Sequence, residues 1–129
     1  KSLGIKMGEP AFKIQSIIKN NKIYTFSTNF ALYGDMSQRV MSTISNIISN
    51  IEIYSIDEAF LDLNDFNYKD LNMLAFHIRN KILKDIGIPV SVGIARTKTL
   101  AKIANHIAKR SNGVFKSTFH RPSIPGGFR

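Results

Sequence analysis

Apolar positions recur along the chain with two different periods. From Tyr33 onward, Met36, Val40, Ile44, Ile47, Ile48 and Ile51 follow one another at three- and four-residue spacing, which predicts an amphipathic helix with one apolar stripe. Leu71, Leu74, Ala75, Ile78, Ile82 and Ile86 repeat that pattern, and Gly87 and Pro89 close it. A third helix is predicted from Thr97 or Thr99, either of which can cap it, to about Lys109. Between the first two helices, residues 51–63 (IEIYSIDEAFLDL) are rich in β-branched and aromatic residues without a helical period, so they read as extended. Residues 23–26, 90–94 and 114–116 read as further short strands, with a turn at Asn112-Gly113. Ahead of them, Gly4, Gly8 and Pro10 precede a short apolar stretch around Ile14, Ile17 and Ile18. After Lys116 the segment STFHRPSIPGGFR has two prolines, two glycines and no period, and is expected to be a disordered tail. The predicted class is α+β, with helices layered on an antiparallel-type sheet.

Charge changes this picture more than composition does. The 129 residues carry 18 Lys and Arg against 9 Asp and Glu, a formal net charge of +9. All nine acids precede Ile86, where ten Lys and Arg nearly cancel them, while eight basic residues and no acid follow. A purely basic second part suits a polyanion such as nucleic acid or a nucleotide phosphate, although a solvated charged surface has the same composition. Cysteine is absent, which excludes disulfides, thiolate metal sites and a cysteine nucleophile. No apolar run approaches the ~20 residues that span a bilayer, so a soluble intracellular protein with no membrane partner is expected.

Two constellations could carry chemistry. Asp57-Glu58 places adjacent carboxylates inside an apolar stretch, where an ordinary hairpin turn favours Asn, Gly or Pro. Such carboxylates repel each other unless a cation compensates, and oxygen-only ligands suit Mg²⁺ in phosphoryl transfer. On spacing alone a solvated acidic turn is the plainer reading. The second constellation is the third helix, where Lys98, Lys102, Asn105 and Lys109 fall within about 60° of arc. Leu100, Ile103 and Ile107 lie opposite and are expected to face the core. The lysine face suits a triphosphate or a nucleic-acid backbone, and a solvated stripe is the bland alternative. His77, His106 and His120 show no metal-ligand spacing, and no P-loop, dinucleotide or nucleophile-elbow motif occurs. Asp62, Asp65 and Asp70 lack the EF-hand pattern.

Four ordered blocks resemble a known family. LGIKMGEP (3–10), STNFALYGDMSQRVMSTI (27–44), YSIDEAFLDL (54–63) and SVGIARTKTLAKIANHIAK (91–109) are similar to the Y-family translesion DNA polymerases, specifically the UmuC-type catalytic subunits of DNA polymerase V. The resemblance runs from Lys1 to about Lys116. It implies a ferredoxin-like palm over residues 33–116, part of the fingers over residues 1–32, and an unmatched tail over 117–129. It further implies that Asp57 and Glu58 bind catalytic Mg²⁺, and that Lys109 and Lys1 contact the incoming triphosphate. Lys98 and Lys102 would face phosphate or DNA. Primer-template DNA and a deoxynucleoside triphosphate are the implied partners, with a UmuD-like accessory subunit. The implied setting is a bacterial cytoplasm at the nucleoid, in SOS mutagenesis and DNA repair.

The same resemblance sets expectations about what these residues do not contain. The family's first palm strand, with its metal-binding Asp, steric gate and a triphosphate-site Tyr, has no counterpart in the sequence, nor do the thumb and little finger. Because that strand is central in a ferredoxin-like sheet, two neighbouring strands are expected to show unpaired edges. A truncated reading frame, inert by itself as a polymerase, is the expectation. A non-catalytic basic module that binds DNA or a partner is the competing reading, and a cyclase-like palm is a third that the ordered blocks disfavour.

Overall fold

The computed structural model describes residues 2–67 and 70–117. They divide into two compact units with the boundary between Phe30 and Ala31. In the first, Pro10 leads into a single 3₁₀ turn, Ala11–Ile14, which runs directly into α1, Gln15–Asn20. Its fixed φ is already compatible with the turn that follows. Ile14 is the buried residue of this stretch, and the Asn21 side chain donates to the Ile17 carbonyl at 2.9 Å to close the helix. Residues 23–26 do not form the predicted strand: Tyr24 and Phe26 stand 83% and 89% exposed, and among the described residues no strand pairs with them. Strand preference reflects packing on a pleated, half-buried surface, and this segment has none.

The second unit contains α2 (Phe30–Ser45), β1 (Ile51–Ile53), β2 (Ala59–Leu61), α3 (Leu71–Ile86), β3 (Val92–Ile94), α4 (Lys98–Ala108) and β4 (Val114–Lys116). The predicted stripe stays helical only to Ile44: α2 ends at Ser45, Ile47 and Ile48 pack into the same core from the turn that follows, and Ile51 opens β1. Helix α3 serves two clusters. Its Ile78 and Ile82 pack with Ile44 and Ile48 against the inner residues of β1 and β2, and its Leu71 and Ala75 pack with Ile94 and Val114. The helix stops where Gly87 takes the left-handed φ of 83° and donates to the Leu83 carbonyl. A side chain there would be strained, so glycine favours the stop.

The strands form two separate pairs rather than one antiparallel sheet. β1 and β2 are antiparallel, with Ile51 opposite Leu61, Glu52 opposite Phe60 and Ile53 opposite Ala59. β3 and β4 are parallel, with Val92, Gly93 and Ile94 opposite Val114, Phe115 and Lys116. A helix intervenes between β3 and β4, and such a crossover is what permits a parallel pair. Among the described residues no ladder joins β2 to β3. Instead a groove of about 960 Å³ lies between them, floored by Ile78 and Ile82 of α3. The expected unpaired edges are therefore present on both sides of it.

Helix α4 is mounted on β3 at very short range. A Cβ placed on Gly93 would lie 2.1 Å from the Asn105 nitrogen and 2.6 Å from the Ala101 carbonyl oxygen, so only glycine fits. The buried face of α4 consequently consists of Ala104 and Ala108. This overturns the expectation of a core face made by Leu100, Ile103 and Ile107 for two of the three: Leu100 is half-buried, but Ile103 and Ile107 are 54% and 40% exposed. Small side chains win the inner position because the backbone separation leaves no room for branched ones.

Candidate active site

The β1–β2 hairpin carries the paired carboxylates on its connecting turn. The Tyr54 and Ser55 amides both donate to the Glu58 carbonyl at 3.0 Å, which closes the five-residue loop. The Ser55 hydroxyl donates to Asp57 Oδ1 at 2.8 Å, and the Ser37 hydroxyl of α2 donates to the Ile56 carbonyl. The turn is thus fastened from within and from the helix behind it.

Strand alternation then sorts the side chains. Glu52 and Tyr54 share one face with Glu58 and Phe60, while Ile51 and Leu61 turn to the core. Across the ladder a carboxylate stands beside a ring twice, Glu52 beside Phe60 and Tyr54 beside Glu58. The rings meet edge to face, with centroids 5.5 Å apart and planes at 69°.

Lys98 and Lys102, one turn apart on α4, each engage one carboxylate and one ring of this face. Lys102 Nζ lies 3.1 Å from Glu58 Oε2 and 4.2 Å from the Tyr54 ring centroid. Lys98 pairs with Glu52 and stands 5.4 Å from the Phe60 centroid. Both distances to the rings are within cation–π range. The hydrogen bond to Glu58 holds the Lys102 ammonium above its ordinary value of 10.5, against a burial effect that lowers it. The Glu58 charge and Tyr54 add to the upward direction. Thr97 starts the helix that presents both lysines, its side chain accepting from the Leu100 amide at 3.3 Å.

The remaining candidates are dispersed. Lys109 caps the far end of α4, is exposed, and donates its backbone amide to the Asn105 carbonyl at 3.1 Å. Asn105 accepts from the Ser91 hydroxyl at 2.6 Å, so it serves the β3–α4 joint. His77 and His106 are exposed. Asp62 is occupied locally by Asn50 and by the Asn64 amide. Lys1, His120 and the predicted tail from 118 onward lie outside the described residues. The roles of Glu52, Tyr54, Phe60 and Ser37 were missed in the sequence. The i, i+2 pairing of 52 with 54 and of 58 with 60, set against lysines at i, i+4, was the available signal.

The donor chemistry fits a hard cation in part. Asp57 and Glu58 offer carboxylate oxygens from adjacent residues, and among the described residues one oxygen of each is hydrogen-bonded, Asp57 Oδ1 to the Ser55 hydroxyl and Glu58 Oε2 to Lys102. No group of three or more His, Cys, Asp or Glu able to hold a metal occurs among the described residues. Mg²⁺ is often held by one or two carboxylates, with water and phosphate completing its six positions, so two are sufficient to begin a site.

The site is thus an antiparallel hairpin with two adjacent carboxylates on its turn, set beside a lysine-bearing helix. Residues 1–106 match the model of the impB/mucB/samB family, and the chain belongs to that family. It is 50% identical over 111 residues to the protein UmuC of Salmonella typhimurium, an alignment covering 85% of this chain and 26% of UmuC. It is 37% identical over 116 residues to DNA polymerase IV of Saccharolobus solfataricus, covering 88% and 32% of the two chains. The insertion ternary complex of Dbh DNA polymerase superposes with a TM-score of 0.78 at 32% identity, covering 95% of this chain and 35% of Dbh. The crystal structure of DinB from Sulfolobus solfataricus gives 0.76 at 35% identity, covering 90% and 34%. The α+β palm-and-fingers class is that of these Y-family structures, and the chain spans about a quarter to a third of the relatives it matches. No helix among the described residues is long and apolar enough to cross a membrane.

Proposed function

We propose that these residues form the carboxylate-bearing part of a DNA-templated nucleotidyl-transfer site in a translesion polymerase. The observation that carries this reading is the Asp57-Glu58 turn, fastened by Ser37 and Ser55 and facing the lysines of α4, in a chain of the impB/mucB/samB family. Asp57 and Glu58 hold Mg²⁺ in this reading, and Lys109 and Lys1 contact the triphosphate of the incoming deoxynucleotide. Lys98 and Lys102, paired with Glu52 and Glu58, line the side of the site that phosphate or DNA would approach. Bound Mg²⁺ supplies charge neutralisation for the phosphates and activates the attacking hydroxyl. Primer-template DNA, a deoxynucleoside triphosphate and a UmuD-like subunit are the partners, in a bacterial cytoplasm. The competing binding-module reading would use the same helix, whose Lys98 and Lys102 are paired with Glu52 and Glu58 and whose Lys109 is exposed.

Positioning supplies most of phosphoryl-transfer catalysis, and no third acidic ligand stands beside the pair among the described residues. The 129-residue chain alone is therefore expected to bind a divalent cation without extending a primer. Mn²⁺ titration followed by electron paramagnetic resonance measures the binding. Asp57→Asn and Glu58→Gln should each weaken it about tenfold or more, by loss of a charged ligand. Unchanged affinity in both variants sinks the metal assignment. Templated extension that Asp57→Ala abolishes would overturn the expected inertness of the chain.

A further inference from the structure

We infer that Lys102 is a positioning residue that serves as an internal counter-ion for Glu58: it holds this carboxylate when no divalent cation is bound and releases it when one arrives. The inference rests on the metal reading above and goes beyond it, because it assigns a competitive role to a residue expected only to face phosphate.

Three observations converge on it. First, the Lys102 ammonium takes one of the two Glu58 oxygens, while among the described residues no lysine pairs with Asp57, whose Oδ1 accepts from the Ser55 hydroxyl. A single positive charge thus sits at the edge of a two-carboxylate site and reduces the attraction that an arriving cation would feel. Second, Lys102 has somewhere to go. Its ammonium already lies 4.2 Å from the Tyr54 centroid, so giving up Glu58 leaves it over the negative face of a ring rather than unsupported. Third, the neighbouring lysine does a different job. Lys98 pairs with Glu52, which lies on β1 away from the turn, so that contact persists while Lys102 lets go. Lys98 keeps α4 beside the hairpin, and Lys102 alone trades partners. Both pairs are partly solvent-exposed, with Lys102 at 45% and Glu58 at 34%, so the exchange is cheap enough to be reversible.

The test uses the full 129-residue chain and Mn²⁺ or Mg²⁺ alone as the probe. Lys102→Gln removes the competing charge and should tighten Mn²⁺ binding roughly two- to fivefold, the scale of an exposed ion pair. Lys102→Arg retains the charge and should restore affinity close to that of the native chain, and Lys98→Gln should shift it less than Lys102→Gln does. On the native chain, the side-chain amine resonances of Lys102 should move during a Mg²⁺ titration while those of Lys98 stay in place, which needs no variant to fold. Affinity in Lys102→Gln equal to or below native, or Lys102 resonances that do not respond to saturating Mg²⁺, overturns the inference. Failure of the metal reading is separately visible: Glu58→Gln and Asp57→Asn would then leave Mn²⁺ binding as it is in the native chain.

Discussion

The two strand pairs of the larger unit are fastened by opposite means. β3, α4 and β4 meet through backbone, with Gly93 against Asn105 and Ala101, and with alanines buried on the helix. The β1–β2 hairpin meets α4 through the tips of long side chains, Lys98 on Glu52 and Phe60, Lys102 on Glu58 and Tyr54. Close backbone packing transmits any displacement and tolerates no added volume, whereas exposed ion pairs rearrange at small cost. The contrast suggests a division of labour, in which a stiff mount sets where the lysines stand and a compliant contact lets the carboxylates change partners.

The comparison breaks most readily at the stiff side. Gly93→Ala forces a methyl group into the backbone of α4 and should cost about 3 kcal/mol or more, read as a lower urea midpoint. A Gly93→Ala chain as stable as the native one would mean that β3 and α4 are no closer than ordinary neighbours. Thr97→Ala removes the cap of α4 and should cost about 1 kcal/mol by the same measurement, with the loss confined to that helix in amide exchange. The smallest effect belongs to the compliant side. Because the Lys102 ammonium is held above 10.5 in the folded chain, its contribution is fully present below pH 10.5 and is lost as the pH rises through the raised value. A side-chain NMR titration should therefore place the Lys102 midpoint above that of a free lysine, and a midpoint at or below 10.5 would show that the Glu58 contact does not persist in solution.

Elements with a long apolar period and a local stop were legible in the sequence. Helix α3 follows from six apolar positions ended by Gly87, and α4 follows from Thr97, because both signals are local. What depended on partners was not legible. Residues 23–26 have strand composition but no strand partner among the described residues, and the parallel pairing of β3 with β4 is decided by the crossover between them. The inner face of α4 was misassigned because burial there is governed by the closeness of Gly93, which selects alanine over the more hydrophobic Ile103 and Ile107. At the site, Asp57 and Glu58 stood out as adjacent charges in an apolar run. The pairing of Lys102 with Glu58 spans 44 positions, and no spacing rule reaches that far.

The groove between β2 and β3 bears on how the molecule behaves in bulk. Among the described residues neither β2 nor β3 has a strand partner on the side of that opening, a surface on which another chain could dock by hydrogen bonding. Mutual repulsion between chains of net charge +9 opposes such encounters, and its reach shrinks from about 30 Å at 0.01 M salt to about 10 Å at 0.1 M. Colloidal stability is then greatest in dilute electrolyte, and the salt that protects many proteins from precipitation removes from this one the barrier that keeps its edges apart.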